Sequence, residues 1–173
     1  MNNQAQPTSK TTLRDRISAN VPAPGQIWPG QGGVYVGIMR DGDNYWHLIM
    51  ATGVSGVTSA HWGEYGIEIP GEVSRRDGLY NTQLILAADP ANKIATYVAQ
   101  LEIDGHKDFY WPAQCENNLI FINAPDHVGT GWHWSSTQYS ARLAWIQYFD
   151  GGYQDSSHKD TTYAARAVRR LPI

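Results

Sequence analysis

The sequence predicts an α+β domain in which helices gather on one side of an antiparallel sheet. Three observations carry that prediction. Runs of aromatic and branched residues with strand character stand early and late in the chain. Apolar residues at helical spacing stand between them. Glycine-bearing polar turns separate the runs, so the order reads hairpin, helices, three strands.

The first 25 residues differ from the rest. Residues 1–10 are polar, and such a segment alone does not bury enough apolar surface to fold. Thr12-Leu13-Arg14-Asp15 resembles a capping box with Asp in place of Glu, which starts a short helix over 13–19 with Leu13 and Ile17 on one face. Pro22-Ala23-Pro24-Gly25 ends it as a semi-rigid spacer. The division expected is an arm over residues 1–25 and a folded domain over 26–173, with Leu13 and Ile17 as assembly contacts.

The domain opens with a hairpin, one strand over 32–39 and its partner over 45–50, joined by a turn that carries Asp41-Gly42. Residues 51–80 are rich in glycine and poor in periodic apolar positions, and receive no element. Asp89-Pro90 reads as a cap followed by a first-turn proline, opening a helix through Ile94, Val98 and Leu101 that ends before Asp104-Gly105. A second helix runs from near Pro112 to Asn123. Strands follow over 132–137, 143–149 and 163–171, with a long loop between the last two.

Composition narrows the function. A net charge of -3 lacks the basic excess of a general nucleic-acid binder. Cys115 is the single cysteine, so an intrachain disulfide and a zinc site of several thiolates are excluded. No apolar run follows a basic start, so no signal peptide is expected and synthesis is assigned to the cytoplasm. No segment is long and apolar enough to insert in a membrane.

Chemistry-bearing patterns are sparse. Gly30-Gln31-Gly32-Gly33 lacks the Lys-Ser/Thr ending of a phosphate loop and precedes a strand. Ser135 and Ser136 lack the glycine frame of a nucleophile elbow. No metal or cofactor is expected, and no catalytic residue is nominated. Asp150, Asp155 and Asp160 offer oxygen ligands, yet the Glu-Pro-Asn and Gln-Pro-Asp motifs of calcium-dependent sugar sites are absent. His106 and Asp108 are read as capping or core hydrogen-bonding groups. Arg166 and Arg169 are expected to pair with Asp108 or Asp150.

The ten Tyr and seven Trp point to binding instead. Such side chains give large contact areas with few rotatable bonds. Trp134 and Trp145 are assigned to the core, while Trp132, beside Gly129 and Gly131, suits either the core or a ligand. Gln138, Tyr139 and Arg142 in one late loop, and Tyr153, Gln154, Asp155, Ser156, His158, Lys159 and Asp160 in the next, combine tyrosine with adaptable polar groups in the manner of a paratope.

A set of motifs carries a resemblance. The block from Gly105 through Asp108, Pro112 and Glu116 to Leu119 approximates Gly-x-x-Asp-Trp-x-Leu-Pro-x-x-x-Glu-Leu. Asn81-Thr82 precedes it, His133-Trp134-Ser135-Ser136-Thr137 and Arg166-Ala167-Val168-Arg169 follow it, and Trp28-Pro29-Gly30-Gln31-Gly32-Gly33 opens the domain. Together they resemble a phage and prophage family of unknown function, similar to the C-terminal domain of the Legionella collagen-like adhesin. Trp111, where Leu is usual, and Asn118, which stretches the Glu-Leu pair, depart from the pattern. The resemblance implies a C-type-lectin-like fold in which early and late strands pair and late loops vary. It also implies a non-enzymatic virion component at a tail tip or fibre, oligomeric within its assembly. The arm would contact other phage proteins and the loops a host-surface glycan or protein. The alternative is a phage-made inhibitor that binds a host defence protein inside the cell.

Overall fold

The computed structural model describes residues 21–53, 56–71 and 73–173. The proposed helix carrying Leu13 and Ile17 lies outside the described residues. Of the spacer, Val21 rests against Trp28, Tyr35 and Ile49, and the Gly25 amide donates to the Tyr35 carbonyl.

The architecture is mixed α+β with two sheets and three α-helices among the described residues. The strands are β1 (Ile27–Trp28), β2 (Gly33–Asp41), β3 (Asn44–Ala51), β4 (Val57–His61), β5 (Trp132–Gln138), β6 (Leu143–Tyr148), β7 (Gln154–His158), β8 (Thr162–Arg166) and β9 (Val168–Pro172). The helices are α1 (Gly78–Ala88), α2 (Lys93–Ala99) and α3 (Gln114–Asn123). One sheet runs β1-β2-β3-β9, the other β4-β8-β5-β6-β7. All pairings are antiparallel except β5 with β8.

The expected hairpin forms as β2 and β3, with Asp41 opposite Asn44 and Gly42 at φ 57°, as a two-residue turn of the primed class requires. The early–late pairing is present in β3–β9. The expected single strand over 163–171 is two strands. Ala167 stands between them, donating to Gly56 O and accepting from Ala51 N, so the chain steps from one sheet to the other there.

Other differences have local causes. The helix expected from Asp89 starts later. The Asn92 side chain, not that of Asp89, accepts from the Ala95 amide, while the Asp89 amide closes the end of α1 on Ile85 O. The sequence predicts neither α1 itself nor β1, β4 and β7. α1 is capped by Asp77, which accepts from Tyr80 N at 2.9 Å. Its first residue is Gly78 because a Cβ there would stand 2.4 Å from Trp111 O and 2.6 Å from Ala113 N. α3 ends at Asn123 as expected.

The core divides along the sheets. One apolar cluster unites Trp62, Trp111, Trp134, Ile85, Ile94 and Val98 between the five-stranded sheet and α1 and α2. A second packs Val34, Val36, Leu48 and Met50 of the four-stranded sheet against Tyr110 and Ile120.

Candidate binding surface

Several of the motif residues, Asn81, Thr82, Glu116, Trp134, Ser136 and Thr137, meet in a buried polar hub. Glu116 is fully buried, and its carboxylate accepts from Gly78 N (3.1 Å), Ala113 N (2.8 Å) and the Tyr110 hydroxyl (2.7 Å). Thr82 Oγ1 accepts from Trp111 N at 3.0 Å, and the Trp111 indole donates to Trp134 O at 3.1 Å. Asn81 Nδ2 donates to Ser74 O and Ser136 Oγ, and Thr137 Oγ1 accepts from Gln114 N. Five consecutive residues of β5, His133 to Thr137, are therefore buried, where strand alternation predicts one buried face. The hub covers the second face.

Burial sets two proton affinities. It raises the Glu116 carboxyl to about 7, although the Tyr110 hydroxyl and Ala113 amide favour the charged form. It lowers the His133 imidazole to about 4, against the pull of the Gly131 carbonyl. The role foreseen for Asp108 holds. It receives Arg169 Nε and Nη2 at 2.9 and 3.0 Å as a bidentate pair. His106 contacts the Gly30 carbonyl. Arg166 takes a different partner from the one expected, donating to Val128 O and Gly53 O, while Asp150 accepts from Gly131 N.

The late residues expected to form one site separate. Trp132 begins β5 opposite Tyr148 at the end of β6, whereas Leu143 at the start of β6 faces His158 at the end of β7. The candidates therefore stand at opposite ends of the same three strands. At one end Trp132, half-buried, lies 4.9 Å from the Tyr148 ring, and Tyr148 stacks on the exposed Tyr153 at 6.5 Å.

At the other end Tyr139 is 57% exposed and meets Trp145 edge-on at 5.4 Å. Trp145, assigned to the core, is only half-buried and carries Arg75 on its face at 5.3 Å. Arg142 lies 5.8 Å over the Tyr65 ring, whose edge also meets His158 at 5.5 Å.

Three of the proposed ligand contacts are spent inside the fold. Lys159 is 1% exposed, and its ammonium donates to Ile67 O and Gln138 Oε1, both at 2.6 Å, over the Trp62 ring. Burial pushes its ammonium down to about 8, opposed by the charge of Glu68. Gln138 also accepts from Ile69 N at 2.8 Å and donates to Ile69 O. Gln154 exchanges hydrogen bonds with the side chain and carbonyl of Gln114. Gln154, Asp155, Ser156 and His158 belong to β7, not to a loop, since each pairs or alternates along the β6 edge. Asp155, His158 and Asp160 are exposed and Ser156 is half-buried.

Lys159 and Gln138 tie down a segment that receives no role from the sequence. Residues 63–70 are held by Lys159 and Gln138, and Gly66 N donates to Ala141 O. The segment exposes Tyr65 (42%) and Ile67 (52%), and with Asp89 and Asn92 it walls a cleft of about 380 Å³ that Lys159 also lines. Its signal in the sequence is an aromatic and an isoleucine flanked by glycine and glutamate, between a tryptophan and Pro70-Gly71.

Among the described residues no group of three or more His, Cys, Asp or Glu converges on a metal-sized point. No described helix is long and apolar enough to cross a membrane. No family model matches the chain, and no curated protein matches it.

Proposed function

We propose that the chain is a non-catalytic binding protein that grips its target through Tyr65, Ile67, Tyr139, Arg142 and His158, on a C-type-lectin-like frame. One observation carries this reading. A segment that exposes an aromatic and an aliphatic side chain is fastened by a buried ammonium and a half-buried amide to the neighbouring strands. A surface already fixed in place loses less conformational entropy on binding than a mobile loop does. Tyrosine beside arginine and histidine gives rigid contact area with adaptable polar groups, suited to a host-surface glycan or protein.

The setting proposed is a phage virion, which rests on the motif resemblance. Mass spectrometry of purified virions tests it. Recovery of the chain with tail proteins is the expected result, and recovery only from infected-cell lysate moves the assignment to an inhibitor of a host protein.

Binding is tested with the purified chain as competitor of phage adsorption to host cells. Tyr65→Ala combined with Tyr139→Ala should leave the unfolding transition in place and weaken competition at least about tenfold, the range of interface hot spots. Lys159 is left intact in this test because it holds the segment. Undiminished competition by the double variant refutes the site.

A further inference from the structure

Gln138 closes β5, Lys159 follows β7, and their side chains meet under the 63–70 segment. The Lys159 ammonium has two acceptors at 2.6 Å, Ile67 O and Gln138 Oε1, and lies 4.5 Å from the Trp62 ring. Among the described residues no carboxylate comes within ion-pair distance of it. A buried charge with no opposite charge in contact is costly, and loss of the proton relieves that cost. Burial already outweighs the opposing charge of Glu68 and brings the ammonium down to about 8.

The Gln138 carboxamide is held as an electrophile. Its Oε1 accepts from Ile69 N at 2.8 Å and its Nε2 donates to Ile69 O at 3.3 Å, so the amide plane is fixed. Lys159 Nζ stands 2.6 Å from Oε1, which across a C=O bond of about 1.23 Å puts it roughly 3–4 Å from Cδ. Reacting atoms held at about 3–3.5 Å are in near-attack range, and fixing them there speeds an otherwise slow step by a large factor. The Ile69 N–H, already on Oε1, is a preorganised donor for negative charge that develops on that oxygen.

We propose that Lys159 and Gln138 join in the folded protein through an intramolecular isopeptide bond. The lone pair of the neutral Lys159 amine forms a bond to Gln138 Cδ, and the carbonyl electrons move onto Oε1. The tetrahedral centre then collapses, the C=O bond re-forms and the Cδ–Nε2 bond breaks. Nε2 takes that electron pair and the proton that Nζ gives up, and leaves as ammonia. Nothing is oxidised or reduced. The product keeps one N–H for Ile67 O and a carbonyl oxygen for Ile69 N, while the buried charge is gone. The bond ties the end of β5 to the turn after β7 covalently, and it depends on Lys159 and Gln138 alone, not on what the exposed surface binds.

The test is the intact mass of the full chain, kept folded for days at about pH 9, where an amine that titrates at about 8 is largely neutral. A species lighter by one ammonia should accumulate. Proteolytic digestion and tandem mass spectrometry should then find a branched peptide that joins the Gln138 and Lys159 fragments. The same chain unfolded in guanidinium chloride at the same pH should yield none, because the two side chains are no longer held together. A folded chain that keeps its full mass, an ammonia loss that maps to an asparagine instead, or a branched peptide that forms as fast in guanidinium chloride overturns the inference.

Discussion

Replacing Glu116 by Gln tests how the buried hub is balanced. Glu116 gives up its proton near pH 7 in the folded protein and near 4.5 when unfolded. Between those values the folded state holds more protons, so this group makes stability fall as pH rises. His133 acts in the opposite sense. Its folded value is about 4 and its unfolded value 6.5, so the unfolded state holds more protons over that window and stability rises with pH. Each displacement corresponds to about 3 kcal/mol in full, of which about 2 kcal/mol falls between pH 4.5 and 6.5. The two contributions therefore nearly cancel in the unmodified protein. Glu116→Gln removes one of them. Its amide oxygen can still accept from Gly78 N and Ala113 N, and its NH2 can face Tyr110 Oη turned to accept, so the fold is retained. Urea unfolding of both proteins at pH 4.5, 5.5, 6.5 and 7.5 reads the difference, in which all other titrating groups drop out. The variant should gain about 2 kcal/mol on the parent from pH 4.5 to 6.5. Glu116→Ala orphans three buried donors and should cost more than about 3 kcal/mol at every pH. A pH-independent difference between parent and Gln variant would show that folding leaves the Glu116 carboxyl near its unfolded value, and the argument that burial outweighs its three donors would fail.

Lys159→Met should destabilise by about 2–4 kcal/mol, because Ile67 O and Gln138 Oε1 lose a charged donor, and limited proteolysis should then cut within residues 63–70 before the fold unfolds. Gly78→Ala places a methyl against Trp111 O and Glu116 Oε2 and should cost about 3 kcal/mol, measurable by urea unfolding, where an ordinary helical Gly→Ala is favourable. Burial opposes ionisation of Asp108, but the hydrogen bonds and charge of Arg169 outweigh it and hold its carboxyl below the usual range. Its contribution is present above the unfolded value and lost as pH falls through the folded one, so Asp108→Asn should flatten the stability profile only in the acid limb, below about pH 4.

Sequence reasoning located what local chemistry dictates. The Asp41-Gly42 turn, the end of α3 at Asn123 and the edges of β5 and β6 follow from turn residues and aromatic runs. It failed where long-range contacts decide. α1 lacks a marked apolar stripe because Asn81 and Thr82, on its buried side, face the polar hub and not an apolar core. β7 reads Gln-Asp-Ser-Ser-His, with no apolar alternation, because it is an edge strand held by backbone pairing to β6. The break at Ala167 is invisible locally, since both flanking strands have ordinary strand composition. Lys159 and Gln138 look like surface residues in a polar loop, and only the return of residues 63–70 over them turns them into fasteners, Lys159 buried and Gln138 half-buried.

That division bears on what a motif can say about function. Asn81, Thr82, Glu116, Trp134, Ser136 and Thr137, six of the residues in the motifs behind the proposed resemblance, are buried and hydrogen-bonded to one another or to backbone. Their order along the chain encodes a frame, and a frame of this kind is compatible with unrelated ligands. The exposed residues of the proposed binding surface, Tyr65, Ile67, Tyr139, Arg142 and His158, stand outside every one of those motifs. A change of ligand can therefore proceed by substitution at these five positions while the hub stays fixed, and the two sets should behave separately. Substitutions in the hub should lower stability and binding together, whereas substitutions on the surface should alter binding at constant stability. A surface substitution that unfolds the domain would show that the tie through Lys159 couples the two sets.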